Sequence, residues 1–433
     1  MKNIAAWKEE FLAGKKDCTL TDALSVAEAN VPAQRERYAA ALDAFAAKYG
    51  DGDISVYSVG GRSEISGNHT DHNHGRVIAA SVNLDILAVA KATDAGVIRI
   101  QSEGFPEDVV EPAAIDAPDE AKFFTSAAII AGMEKAFLNA GYKVGGFDAY
   151  TTSNVLKGSG ISSSAAFEVM VGNILNYLYN DGRVSNVEIA KMAQFAENKY
   201  FGKPCGLMDQ TACAVGGFIT IDFADPTSPV IEKMDFDLGK AGYALCIVNT
   251  GGNHADLNDD YASIPAEMKK VASLFGKEVL RGISEYELIE KAPEIRKAAG
   301  DRALLRALHF ANEDARVPAI AAAMKEGDVA KFLGGITASG NSSFKYLQNV
   351  FTTKNPSEQG ESLAIYLSER ALASFPLPGA CRVHGGGFAG TMQAFVPRLY
   401  TEAFRQSIDE VMGEGSCMVM HVRPVGATRV DND

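Results

Sequence analysis

Residues 155–166 have the sequence VLKGSGISSSAA, and this stretch decides the fold prediction. A Gly-x-Gly turn leads into three serines, and an apolar-periodic run follows from Phe167 to Leu175. This order is typical of a tight turn before a helix, where unpaired backbone amides and the positive end of the helix dipole point outward together. The natural ligand of such a turn is an anion, most often a phosphate. The turn matches neither GxxxxGK[ST] nor GxGxxG, and plain linkers share its composition.

The composition is that of a globular enzyme. The chain has 433 residues, 47% of them hydrophobic and 22% charged, which allows two domains or one large one. A net charge of −14 argues against a nucleic-acid-binding surface. No apolar run is long enough for a membrane helix, and residues 1–13 do not resemble a signal peptide. Six cysteines without a CxxC pair suggest reduced thiols, so we expect a cytoplasmic protein. From its charge and hydropathy, we expect it to bind neither nucleic acid nor membranes.

Helical patterns alternate with hairpin-like pairs of strands along the chain. This mixture favours α+β layers over a doubly wound parallel sheet. A turn-rich stretch at residues 225–229 suggests a domain boundary. We therefore predict an N-terminal domain of residues 1–222 and a C-terminal domain of residues 223–433.

A polar segment at residues 60–75, GGRSEISGNHTDHNHG, follows a predicted strand, and we expect it to be a loop. Asn68, His69 and Asp71 supply the amide, imidazole and carboxylate groups that typically bind sugar hydroxyls. A solvated, turn-rich loop would explain the composition equally well. A transition-metal site is a further alternative, because three histidines are close in sequence, His69, His72 and His74.

Two further segments combine glycines with chemically active groups. Residues 197–210 have the sequence ENKYFGKPCGLMDQ, which ends one predicted helix and places Asp209 where the next would begin. Asp209 is either a functional carboxylate or a helix cap. Residues 384–390, HGGGFAG, lie between two apolar strands. Three consecutive glycines allow the backbone to approach a ligand closely, although a hairpin turn is the simpler alternative.

In order and spacing, these four segments resemble the motifs of the GHMP family of small-molecule kinases, and its galactokinase branch in particular. The family patterns are GR…GEHTDYN.G, GSGLSSSA, CG.MDQ and GGGFGG. The corresponding stretches are residues 61–75, 158–166, 204–210 and 385–390, and the resemblance extends from about residue 55 to the C-terminus. It implies a two-domain α+β kinase fold with the active site in the cleft between the domains.

The resemblance also implies an activity. The expected reaction is ATP-dependent phosphorylation of the anomeric hydroxyl of a sugar, with galactose as the expected sugar and galactose 1-phosphate as the product. Asp209 matches the proposed catalytic base and Arg62 matches its partner. We expect the protein to be a monomer.

Further site residues follow from the same resemblance. The expected sugar ligands are Asn68, His69, Asp71 and Tyr261. Mg²⁺ is expected on Ser164 and Glu197, oxygen donors that suit a hard cation. The loop at Gly385, Gly386 and Gly387 is expected to line the active site. Backbone amides that wrap the ATP phosphates are expected from Gly158, Ser159, Gly160, Ile161, Ser162, Ser163 and Ser164.

The sequence departs from the family pattern at the sugar-binding segment. Asn68 stands where the family usually has a glutamate that helps to bind the sugar's hydroxymethyl group, and Ser63-Glu64 replaces the usual Val-Asn. Two alternatives to a galactokinase therefore stay open. One is a kinase for another sugar, and the other is a non-catalytic sensor of galactose and ATP. Such sensors lack the Ser-Ala pair that this chain retains as Ser164-Ala165.

Overall fold

The computed structural model describes residues 2–111, 116–155, 161–203, 205–252 and 257–430. Within these ranges, helices pack in layers on two sheets, which confirms the predicted α+β class. None of the described helices is long and apolar enough to cross a bilayer.

The strands are numbered in chain order. They are β1 (Lys2–Asn3), β2 (Asp53–Ser66), β3 (Arg76–Ala92), β4 (Ile98–Ser102), β5 (Asp108–Val110), β6 (Phe147–Ser153), β7 (Phe218–Asp222), β8 (Val230–Met234), β9 (Tyr243–Asn249), β10 (Ala380–Val383), β11 (Thr391–Pro397), β12 (Cys417–Met420) and β13 (Thr428–Arg429).

The helices are numbered in the same way. They are α1 (Ile4–Leu12), α2 (Val31–Tyr49), α3 (Ser126–Asn139), α4 (Ser163–Tyr179), α5 (Asn186–Ala196), α6 (Met208–Val215), α7 (Asn258–Ser273), α8 (Glu285–Glu290), α9 (Ala292–Ala299), α10 (Asp301–Glu326), α11 (Val329–Ser342), α12 (Gly360–Ala373) and α13 (Thr401–Met412).

The first sheet has nine strands along the path β1-β2-β3-β6-β4-β5, with β13 beside β2, β7 beside β3 and β8 beside β7. Helices cover both of its faces. In β2, Ile54 and Val56 join a cluster with α1 and α2, whereas Tyr57 and Val59 join a larger core with α3 to α6. Because successive side chains point to opposite faces, the first half of β2 is buried on both sides.

The second sheet has four strands in the order β10-β11-β9-β12. Helices α12 and α13 cover one face, where Leu372 and Phe404 belong to the same apolar cluster as strand residues of β9 and β11. Helix α11 covers the other face, and the rings of Phe332 and Phe395 pack edge to face at 5.0 Å there.

The predicted domain division at residues 222 and 223 does not coincide with the separation of the sheets. Two later strands belong to the first sheet, since β8 pairs with β7 and β13 pairs with β2. The chain therefore returns to its first sheet at its end, and the boundary between residues 222 and 223 stays a prediction.

The segment expected to be a loop begins as a strand. Residues 60–66 continue β2 and pair with β3, with register shifts between Gly60 and Arg62 and between Glu64 and Ser66. Sequence patterning missed this because every residue from Ile54 to Ser66 is buried, so polar and apolar side chains do not alternate along the strand.

The C-terminal segment, residues 423–430, holds helix α6 in place. The backbone N–H of Ala427 donates to the carbonyl of Ala214 at 3.0 Å. Gly426 lies so close to the helix that a Cβ there would be 2.0 Å from the same carbonyl oxygen. Since Asp209 lies in the first turn of α6, this contact helps to position the candidate site.

We predict that Gly426→Ala lowers the free energy of unfolding by about 1–3 kcal/mol, because backbone must move to admit the methyl group. Gly334→Ala in α11 is the matched control, since a Cβ there meets nothing within 4 Å. Alanine in a helix is more favourable than glycine by about 0.5–1 kcal/mol, so the control should be neutral or stabilising. Urea denaturation measures both, and equal stability of the two variants would contradict this packing.

Candidate active site

A cavity of about 830 Å³ lies beside the end of β2, the start of α6, helix α7 and the glycine loop, residues 384–390. Three of the four sequence segments contribute to its wall, and α7 contributes Tyr261. The charged, polar and glycine residues of interest in the wall are Arg62, Glu64, His69, Asp71, Lys203, Asp209, Tyr261, Gly385 and Gly386.

A bidentate ion pair lies in the cavity wall. Nε and Nη2 of Arg62 donate to the two carboxylate oxygens of Asp209 at 2.7 and 2.8 Å. The hydroxyl of Ser162 also donates to Asp209. The backbone N–H of Arg62 donates to the carbonyl of Ile161 at 3.0 Å. The carboxylate of α6, the arginine of β2 and the residues just before α4 therefore form one bonded unit.

The protonation of Asp209 follows from these partners. Burial alone would raise the pKa of its carboxyl group. The charge and hydrogen bonds of Arg62, together with the hydroxyl of Ser162, outweigh burial and hold that pKa below its ordinary value. Asp209 is therefore ionised at neutral pH. The expectation that it begins a helix is confirmed, since α6 starts one residue earlier.

The expected sugar ligands His69, Asp71 and Tyr261 all line the cavity. The hydroxyl of Tyr261 donates to the carbonyl of Gly387 at 2.9 Å, and Nε2 of His69 lies 3.0 Å from the carbonyl oxygen of Gly386. Burial, and then the neighbouring His72, lower the pKa of His69 to about 4. His69 is therefore a neutral hydrogen-bonding group at physiological pH.

Asn68 does not line the cavity, contrary to the expectation that it contacts the sugar. Its side chain is fully buried. Nδ2 donates to Glu64 at 3.0 Å and to the carbonyl of Gly385 at 2.6 Å. Oδ1 accepts from Ser343 at 3.1 Å and from Asn349 at 2.8 Å. The amide thus joins the polar segment to the glycine loop and to the residues after α11.

Two buried side chains of helix α10, Glu313 and His309, hydrogen-bond the polar segment. The sequence analysis did not identify either of them. Oε1 of the buried Glu313 accepts hydrogen bonds from Ser66 at 3.1 Å and from the backbone N–H of Gly67 at 2.9 Å. Nε2 of His309 lies 3.0 Å from the carbonyl oxygen of Asn68. The signal in the sequence was the group of polar residues from His309 to Arg316 within the helical pattern of residues 303–324.

The glycine loop approaches the cavity with its backbone. Gly385 and Gly386 lie in the wall. Gly387 has a φ of +78°, and a Cβ there would lie 2.0 Å from the carbonyl oxygen of Asn349. A side chain at position 387 would therefore separate the loop from the segment that Asn68 also binds.

The predicted phosphate loop is only partly described. Gly158, Ser159 and Gly160 lie outside the described residues. Ile161 is fully buried, and α4 begins at Ser163 after Ser162, whose φ of +56° is in the left-handed region. Such a conformation in a non-glycine residue is typical of turns and functional sites. It directs the start of α4 toward Asp209, which Ser162 binds.

Two buried carboxylates lie beside α4 and α6. Nε2 of Gln210 donates to Glu168 at 3.1 Å and to Glu197 at 2.7 Å, and Nζ of Lys203 donates to Glu197 at 3.2 Å. Among the described residues, nothing donates to Oε1 of Glu168. Burial, and then the charge of Glu197, raise the pKa of Glu168 well above its ordinary value. Ser164 lies one helical turn before Glu168, on the same face of α4.

We predict that three buried histidines favour unfolding as the pH falls from about 7 to 5, while buried carboxyl groups such as Glu168, whose pKa is raised, act in the opposite direction. Burial lowers the pKa of three histidines, His69, His309 and His384. In the unfolded chain these side chains have a pKa of about 6.5 and bind protons below that pH. In the folded protein their pKa is lower, so they bind protons less readily and favour unfolding in acid.

The melting temperature, measured between pH 8 and 5, tests this prediction. Compared with the parent protein, His384→Gln should have a higher melting temperature at pH 5 relative to pH 8, because one histidine that opposes protonation in the folded state is removed. A difference in melting temperature between pH 8 and pH 5 that is the same in His384→Gln and in the parent protein would contradict it.

Comparison with known proteins shows the family to which the chain is similar. The model of the GHMP kinases N terminal domain matches residues 126–217, and the galactokinase galactose-binding signature matches residues 43–92. The galactokinase of Streptomyces coelicolor is 31% identical over 366 residues, which cover 84% of this chain and 89% of that protein. The galactokinase of Clostridium tetani is 28% identical over 363 residues, covering 83% of this chain and 88% of that protein.

Solved structures share the fold. The galactokinase of Lactococcus lactis, crystallised with galactose, superimposes with a TM-score of 0.76 at 24% identity, covering 89% of this chain and 98% of that one. The mevalonate kinase of Methanococcus jannaschii has a TM-score of 0.59 at 14% identity, covering 86% of this chain and 99% of that one. The fold is therefore the two-domain GHMP kinase arrangement. With the sequence identity to the Streptomyces protein, it follows that the chain belongs to the galactokinase family of GHMP kinases.

Proposed function

We propose that the protein transfers the γ-phosphoryl group of ATP to the anomeric hydroxyl of galactose and releases galactose 1-phosphate. The observation that supports this most directly is the hydrogen bond from Ser162 to Asp209. Ser162 immediately precedes α4, the helix at which the ATP phosphates would bind, and Asp209 faces the polar cavity. The bond therefore joins the donor side of the site to the acceptor side.

The cavity wall suits a sugar. His69, Asp71 and Tyr261 combine an imidazole, a carboxylate and a phenol around one space. Hydroxyl groups both donate and accept, so a wall that combines an imidazole with carboxylate and phenolic oxygens as acceptors can hold several of them in one orientation. We infer that these three residues bind the sugar and that the backbone of Gly385 and Gly386 closes that side.

Asp209 and Arg62 act on the hydroxyl that receives the phosphoryl group. A carboxylate with a lowered pKa is a weak proton acceptor, so Asp209 mainly orients the hydroxyl and stabilises it as its proton leaves. Arg62 keeps Asp209 ionised and offsets the negative charge that spreads over the transferring group. Phosphoryl transfer depends chiefly on such positioning and charge stabilisation.

ATP is the phosphoryl donor that membership of this kinase family implies. We infer that its phosphates bind the amides of residues 158–164 and the N-terminus of α4. The donor set around α4 fits Mg²⁺, because Ser164 and Glu197 offer hard oxygen atoms, and the buried Oε1 atom of Glu168 beside them has no hydrogen-bond partner among the described residues. Mg²⁺ would neutralise phosphate charge during transfer. Location in the cytoplasm and a monomeric state stay predictions.

A kinase for another sugar is the second candidate, since Asn68 replaces the family's glutamate and does not line the cavity. Both candidates share the chemistry of Asp209. A panel of sugars with ATP and Mg²⁺ therefore separates them, with galactose expected to give the highest kcat/KM.

We predict that Asp209→Asn lowers kcat/KM for galactose by about 10²- to 10⁴-fold, because the orienting carboxylate is lost. Asp148→Asn is the matched control. Asp148 also forms a bidentate pair, with Arg99 at 2.7 and 3.0 Å, but it does not line the cavity. The control should keep kcat/KM within about twofold of the parent value. Sugar-dependent release of ADP measures both variants, and an active Asp209→Asn would overturn the assignment.

We also predict a shift in the pH profile. Ser162 and Arg62 both lower the pKa of Asp209, so Ser162→Ala and Arg62→Lys should raise it. Ionised Asp209 is the active form, so the acidic limb of kcat/KM should move to higher pH, further for Arg62→Lys, which loses the bidentate geometry. An acidic limb that stays in place in both variants would show that another group controls it.

A further inference from the structure

Asn68 has no capacity left for a ligand. A carboxamide offers two donor hydrogens and two acceptor lone pairs, and the four hydrogen bonds of this side chain use them all. Its partners are themselves buried protein groups, and its exposed fraction is 0%. Asn68 therefore joins parts of the cavity wall to one another without itself facing the cavity.

Glu64, four residues earlier, has the opposite arrangement. It lies in the cavity wall. Its Oε1 atom accepts from Nδ2 of Asn68 at 3.0 Å and from Nη2 of Arg382 at 2.8 Å. No hydrogen bond from the described residues reaches its Oε2 atom. One carboxylate oxygen is thus fixed by the protein, and the other is available to a ligand.

The Oε1 atom of Glu64 is held by a buried arginine that is itself fixed in position. Arg382 is 1% exposed, and its Nη1 atom donates to the carbonyl of Ile65 at 2.8 Å. Burial raises the pKa of Glu64, while the charges of Arg382 and then Arg62 oppose that rise. A buried ion pair of this kind costs desolvation energy and is retained for specificity in some proteins.

We propose that Glu64 is a specificity-determining residue of the sugar site, whose Oε2 atom accepts a hydrogen bond from a sugar hydroxyl while Asn68 and Arg382 act as positioning residues. The inference rests on the proposed sugar kinase function. It assigns the carboxylate that binds the sugar to position 64 and gives position 68 a supporting role. A charged acceptor in a dry wall discriminates strongly against a sugar that lacks the matching hydroxyl.

The test uses Glu64→Gln, which keeps the size of the side chain and an oxygen for Arg382 but removes the charged acceptor. The parent protein and the variant are titrated calorimetrically with galactose and with its 2-, 3-, 4- and 6-deoxy analogues, and turnover is measured in parallel. We expect galactose to bind on the order of tenfold more weakly to the variant. KM for galactose should rise more than kcat falls, and KM for ATP should stay unchanged.

The deoxy analogues give the decisive result. In the parent protein, removal of one hydroxyl should weaken binding on the order of tenfold, and in Glu64→Gln the same removal should cost about twofold or less. This coupling identifies the hydroxyl that Glu64 binds. Equal penalties for every analogue in both proteins, or unchanged galactose affinity in Glu64→Gln, would overturn the proposal.

Two further variants separate direct contact with the sugar from a positioning role behind the cavity wall. Asn68→Ala should lower the melting temperature and weaken all the analogues by a similar factor, while the penalty of the single hydroxyl persists. Glu134→Gln is the control for a buried carboxylate, because Glu134 is 3% exposed, lies in α3 and does not line this cavity. It should leave every sugar affinity unchanged.

Failure of the proposed function gives a different result. If the parent protein binds and phosphorylates another sugar in place of galactose, the same comparison of Glu64→Gln with the parent is made with that sugar and its deoxy analogues. If the parent binds no sugar, both the proposed function and the role of Glu64 are overturned. If the parent binds its sugar and Glu64→Gln binds it equally well, only the role of Glu64 is overturned.

Discussion

The ion pair between Arg62 and Asp209 is the constraint on which the site depends. Arg62 is almost buried, and a buried guanidinium without a partner would be strongly destabilising. The pair therefore ties strand β2 to the first turn of α6 in one orientation. The carbonyl of Ile161 and the hydroxyl of Ser162 bind the same two residues, so the start of α4 is held there as well. One electrostatic requirement thus brings three distant chain segments together.

A second network behind the cavity keeps its wall rigid. Glu313, His309 and Asn68 link the polar segment to α10 and to the residues after α11, and Arg382 links it to the second sheet. A buried hydrogen-bonded network favours a single arrangement, because any displacement that breaks one of its bonds leaves a desolvated polar group without a partner. A wall held in this way can present ligand groups in a fixed geometry before the sugar arrives, which lowers the entropy lost on binding.

Local patterns in the sequence predicted the elements that depend on local physics. The helix that follows the serines, α4, the start of α6 beside Asp209 and the glycine loop between two strands each follow from neighbouring residues alone. The family resemblance then supplied the ion pair. The continuation of β2 through Ser66 was missed, because the pairing with β3 and burial on both faces override the polar composition.

The orientation of Asn68 could not be predicted from the sequence either. Its partners Ser343, Asn349 and Gly385 are about three hundred residues away along the chain, so only the folded protein determines which way the amide points. For the same reason, Glu64 received no role from its sequence position. Its importance follows from the arginine of the second sheet that holds one of its two oxygens.

The measurement that tests the central claim most directly is a crystal structure with galactose and a non-hydrolysable ATP analogue. The account predicts that the anomeric oxygen lies within about 2.6–3.2 Å of the Asp209 carboxylate, with the γ-phosphate approaching over the start of α4. Arg62 should still contact Asp209. A sugar bound with another hydroxyl at Asp209, or a phosphate bound away from Ser162, would contradict the joined arrangement of donor and acceptor sites.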